Sequence, residues 1–88
     1  MASKTVTVGS SVGLHARPAA IIAEAADGYD DEITLTLVGG DDEEGVDAAS
    51  SLMIMTLGAE KGAEVVVTSD NVEAVEAIAA LIEKDLDA

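Results

Sequence analysis

The sequence predicts an α+β fold: a βαββαβα open-faced sandwich, a four-stranded antiparallel sheet covered on one face by three helices. Three observations point there. Several short runs alternate apolar and polar residues, the period of a half-buried strand. Between them, apolar residues recur at helical spacing. And 88 residues, 49% hydrophobic with Tyr29 as the one aromatic, suit a single domain over residues 1–88 with an aliphatic core.

The elements follow in order. Thr5-Val6-Thr7-Val8 alternates and reads as a strand with Val6 and Val8 inward. A loop through Gly9 and Gly13 leads to a helix over about residues 16–26. Ala19, Ile22, Ala23 and Ala26 give this helix a thin apolar face, and Pro18 falls in the first turn, where its missing N–H costs nothing. Asp27-Gly28 ends it. Residues 33–38, Ile-Thr-Leu-Thr-Leu-Val, form a second strand, and the acidic stretch Asp41-Asp42-Glu43-Glu44 a hairpin loop. That stretch lacks the ligand spacing of a calcium loop. A short third strand spans about residues 46–48.

Ser50 or Ser51 caps a short helix over residues 51–57, which Gly58 ends. Leu52, Met53, Ile54, Met55 and Leu57 leave this helix without a polar side. Two turns cannot bury every face against one sheet, so some of Leu52, Met53 and Met55 are expected at the surface as a docking face. Residues 64–68 form the fourth strand. Asp70 with Glu73 resembles a capping box for a last helix running to about Leu86, with Val75, Ile78, Ala79, Ile82 and Leu86 as its buried stripe.

Charge narrows the function classes. Eighteen acids against four Lys or Arg give a net charge of −14, which makes nucleic acid and anionic membranes poor partners. The surplus fits a protein adapted to high salt, because at ~1 M salt the Debye length is about 3 Å and surface carboxylates hardly repel. Without cysteine there is no disulfide or thiolate nucleophile, and a lone histidine makes a metal site improbable. No apolar run reaches the ~18 residues of a membrane span, and no secretory leader is visible, so a soluble cytoplasmic protein is expected; a monomer is the expected oligomeric state. No cofactor is implied.

The one histidine and the one arginine fall together in Gly13-Leu14-His15-Ala16-Arg17-Pro18. His15 immediately precedes the predicted helix, where backbone N–H groups lack intrahelical partners and favour an anion. Imidazole is a capable nucleophile near neutral pH. Arg17 adds donors suited to a phosphoryl group. The pattern points to a phosphorylatable histidine, the plain alternative being a capping side chain. No Walker-type loop is present, so phosphate would come from another protein.

This segment, extended to Ala19, resembles the active-site motif of the HPr family, histidine-containing phosphocarriers of the sugar phosphotransferase system. The stretch Ala49-Ser50-Ser51-Leu52-Met53-Ile54-Met55-Thr56-Leu57-Gly58-Ala59 is similar to the family's second signature. Lys61-Gly62-Ala63-Glu64-Val65 resembles the turn into its last strand. The resemblance implies that His15 takes phosphate on Nδ1 from phosphorylated Enzyme I and gives it to a sugar-specific IIA domain, as a stoichiometric intermediate and not an enzyme. It implies that Arg17 steadies the phosphoryl group and that Ser50 matches a serine phosphorylated in some bacteria, although capping alone explains Ser50. Glu24, Asp27 and Met53 stand where relatives often carry lysines. Ile21, Leu52 and Met55 are therefore expected to border His15 as an apolar docking surface for both partners. The other readings are a dihydroxyacetone kinase as acceptor, a regulatory adaptor of the same fold, and a small binding module that merely resembles the family.

Overall fold

The computed structural model describes residues 2–9, 16–38, 45–57, 60 and 62–84. Its elements run β1 (Ala2–Thr7), α1 (Ala16–Asp27), β2 (Ile33–Leu37), β3 (Val46–Asp47), α2 (Ser51–Thr56), β4 (Glu64–Ser69) and α3 (Val72–Glu83), the expected βαββαβα order. The four strands form one sheet in the order β1-β4-β2-β3, and every neighbouring pair is antiparallel.

Register explains which face is covered. Val6 lies opposite Val65, which in turn faces Leu37, while Val67 faces Leu35 and Leu35 faces Val46. Side chains in these rows share one face of the pleat, and of them Val6, Val65, Val67, Leu35 and Val46 are buried. The intervening rows, Thr5-Val66-Thr36 and Ser3-Thr68-Thr34-Asp47, lie on the opposite face and none is buried. Ala19, Ile22, Ala23 and Ala26 of α1, Ile54 of α2, and Ala74, Val75, Ile78, Ala79 and Ile82 of α3 complete the aliphatic core.

Several boundaries differ from the sequence expectation. β1 begins at Ala2, because its polar first residues pair with the end of β4, Ala2 opposite Ser69. Val8 lies beyond that ladder, yet it is buried, and its N–H donates to the Ala63 carbonyl at 2.8 Å. The α3 cap is Asn71, not Asp70. The Asn71 Oδ1 accepts from the Glu73 N–H at 3.0 Å and the Ala74 N–H at 3.3 Å. Glu73 is therefore the second helical residue, too early for a capping box. The helix ends at Glu83, with Lys84 extended at ψ 150°. Leu86 and the acidic stretch at residues 41–44 lie outside the described residues.

Two glycines shape the end of the sheet. Gly62 has φ +91°, a conformation that favours glycine, and its N–H donates to the Val8 carbonyl at 3.0 Å. Gly9 donates to the Ile82 carbonyl at 3.0 Å, and a Cβ there would run into the Glu83 carbonyl. The chain leaving β1 is thus held against the last turn of α3. At the other end of the sandwich, Asn71 Nδ2 donates to Asp31 at 3.0 Å and ties the α3 cap to the segment before β2. Lys4 on the edge strand reaches Glu76 of α3 at 3.0 Å, and this pairing raises the ammonium above its ordinary 10.5. The pair is exposed and carries little stability.

Candidate functional site

α1 places the site. Pro18 and Ala19 are buried at its start, and Ile22, Ala23 and Ala26 continue the inward stripe. Helical phase then turns Arg17, Ile21 and Glu24 toward another side. Arg17 and Glu24 are exposed and Ile21 is half-buried. His15 directly precedes the first residue of α1 in sequence and lies outside the described residues.

Charge along α1 runs against what helix stability favours. The first turn holds Arg17 and no acid, while Asp27 ends the helix and the last turn has no base. A helix dipole is better matched by the reverse arrangement. Among the described residues Arg17 pairs with no carboxylate, although the chain has eighteen acids. The N-terminal end of α1 thus combines positive dipole and a guanidinium that no carboxylate among the described residues engages, an arrangement suited to an anion.

α2 packs against α1. Ser50 is its N-cap, with Oγ accepting from the Met53 N–H at 3.3 Å and the Ser50 carbonyl accepting from Ile54 N–H at 3.0 Å. This phase sends Ile54 into the core. Leu52 is left 69% exposed and Met53 43% exposed, whereas Met55 is half-buried against the core. Of the three apolar docking candidates, Leu52 is therefore an open surface residue, and Ile21 and Met55 present only part of their side chains. Met53, which the sequence marked as a departure at a lysine position, offers more surface than Met55. The helix period did not single it out, because every side of α2 is apolar.

A concavity of about 380 Å³ lies at the opposite end of α1 and is lined in part by Tyr29 and five carboxylates, Asp27, Asp30, Asp31, Glu32 and Asp47. A twelve-residue helix separates the two places by roughly 18 Å. Among the described residues no group of three or more potential ligands could hold a metal, and no helix is long and apolar enough to cross a membrane.

A family model described as the PTS HPr component phosphorylation site matches residues 2–84. The chain belongs to the HPr family. The phosphocarrier protein HPr of Streptomyces coelicolor is 43% identical over 70 residues, which cover 80% of this chain and 72% of that protein. Among solved structures, HPr-C-His from Thermoanaerobacter tengcongensis superposes with a TM-score of 0.83 at 31% identity, covering 100% of this chain and 98% of the other. HPr from Bacillus anthracis gives 0.81 at 32% identity, covering 92% and 95%. The open-faced sandwich is thus the HPr fold, and membership supports a phosphocarrier role in the phosphotransferase system.

Proposed function

We propose that this HPr-family chain accepts a phosphoryl group on His15 from phosphorylated Enzyme I and passes it to a IIA domain in sugar uptake. The observation that carries the reading is the match to a phosphorylation-site family model across residues 2–84, a span that contains the chain's one histidine. In each transfer an N–P bond on the donor breaks as the bond to His15 forms, and the reverse exchange releases the group to the acceptor. The protein is a stoichiometric carrier and not a catalyst, and its place of action is the cytoplasm. Phosphoryl transfer is mainly positioning and electrostatics, so a nucleophilic nitrogen beside a cationic cradle is enough. Incubation with phosphoenolpyruvate, Enzyme I and candidate IIA domains tests this. One phosphate should add to the intact mass and then move to an acceptor. Absence of labelling by cognate Enzyme I would overturn it.

Arg17 supplies the cradle. Arg17→Ala should slow transfer about tenfold or more, the effect of losing a charge-assisted hydrogen bond. Because Arg17 is exposed, the thermal midpoint should move by only a few degrees. A large stability loss with unchanged transfer would reverse the assignment. Ser50 remains the match to the family's regulatory serine, and its observed capping bond to Met53 is a sufficient reason for a serine there.

Docking is apolar in this reading. At molar salt exposed ion pairs contribute little, whereas burial of one aliphatic side chain contributes roughly 1.5–3 kcal/mol. Ile21, Leu52 and Met55 form the shared surface for Enzyme I and IIA. Leu52→Asp should lower both the Enzyme I labelling rate and the IIA transfer rate about tenfold or more at high salt. Its 69% exposure means folding should be little changed. Normal transfer by that variant, or a larger effect from charge reversal at Glu24 and Asp27, would sink the apolar reading.

A further inference from the structure

We propose that Met53 is an oxidation-sensitive modification site, and that its conversion to the sulfoxide weakens docking at α2. The inference rests on the apolar docking surface argued above. Met53 is 43% exposed and follows Leu52, itself 69% exposed, on a six-residue helix. Met55 is half-buried and packed against the core. Oxidants reach exposed thioethers first, so Met53 outranks Met55 as a target. With no cysteine in the chain, no thiol competes for the oxidant.

The chemistry is a two-electron oxygen transfer from a peroxide. A sulfur lone pair attacks one peroxide oxygen, the S–O bond forms and the O–O bond breaks. The departing oxygen leaves as water when the oxidant is hydrogen peroxide. Sulfur is oxidised and the peroxide reduced, and methionine sulfoxide reductases restore the thioether.

The consequence follows from polarity. A sulfoxide oxygen is a strong acceptor, and burying it against an apolar partner surface without a donor is unfavourable. The backbone of α2 is not threatened, because the Met53 N–H, not its side chain, holds the Ser50 cap. Oxidation would therefore alter the docking face and leave the helix phase intact. The same reasoning explains why an exposed methionine differs in kind from the exposed Leu52 beside it: both are apolar, and only one can be made polar and back.

The experiment is mild treatment with hydrogen peroxide, peptide mapping, and the Enzyme I labelling rate at high salt. Sulfoxide should accumulate at Met53 before Met55. The labelling rate should then fall by about tenfold and recover after methionine sulfoxide reductase treatment. Met53→Leu keeps the apolar surface while Met1 and Met55 remain oxidisable. Whatever rate that variant starts from, peroxide treatment should leave it unchanged. Full-rate labelling by protein oxidised at Met53, or an equal loss in Met53→Leu, would overturn the proposal. Leu52→Asp separates the two ideas. If it is slow while the Met53 sulfoxide is fully active, only the oxidation proposal fails. If Leu52→Asp itself is normal, the docking surface fails with it.

Discussion

His15→Ala is expected to take up no phosphate from phosphorylated Enzyme I under conditions that label the parent completely. The chain contains one histidine, so no second imidazole can substitute as nucleophile, and no thiol is present. The parent's label should be lost in acid and stable in base, as an N–P bond on imidazole requires, whereas a serine or threonine ester would survive acid. This second measurement stands even if the substitution perturbs folding. Circular dichroism of His15→Ala should show a midpoint near the parent's. A labelled His15→Ala, or an acid-stable label on the parent, would move the chemistry to another residue.

The second large effect is on the whole fold. The thermal midpoint is expected to rise by about 10 °C or more between 0.1 M and 2 M sodium chloride. Fourteen excess negative charges belong to a body with a Cα radius of gyration of 11.1 Å. At 0.1 M salt the Debye length is about 10 Å, so each carboxylate senses most of the others, whereas at 1 M it is about 3 Å. The compact state suffers this repulsion more than the expanded chain. Compensation is limited by composition, four Lys and Arg against eighteen Asp and Glu, and the Lys4–Glu76 pair is exposed. Relief of about 2 kcal/mol corresponds to roughly 8–16 °C for a domain of this size. A flat salt dependence, or the same rise in an uncharged osmolyte at equal osmolality, would remove the case for adaptation to high salt.

Much of the fold was legible because local pattern and burial coincide. The alternation in Ile-Thr-Leu-Thr-Leu appears directly as β2, and the Ala19-Ile22-Ala23-Ala26 stripe as the buried side of α1. The misses have local causes. Ala2-Ser3-Lys4 shows no apolar alternation and is a strand only because β4 pairs with it. Asp70 and Asn71 are both competent caps, and composition alone does not choose between them. For α2, the unbroken apolar run from Leu52 to Met55 erased the helical signal. The Ser50 cap sets the phase that buries Ile54 and exposes Leu52 and Met53. Strand order was a different problem, since the position of β4 between β1 and β2 is a long-range fact. At the site, His15 and Arg17 stood out in the sequence because each is unique in the chain. The unmatched state of Arg17 among the described residues required coordinates.

The place of β4 also governs how the protein is made. β1 and β2 are its two neighbours, so neither can join the sheet through β4 until residues 64–69 have been synthesised. The Gly9 contact waits longer still, for Ile82 and Glu83. A chain emerging from the ribosome therefore carries the histidine segment long before it has a folded body to stand on. Folding and competence for phosphate should arrive together, with release of the last helix. A nascent chain stalled before α3 would be protease-sensitive throughout and invisible to Enzyme I.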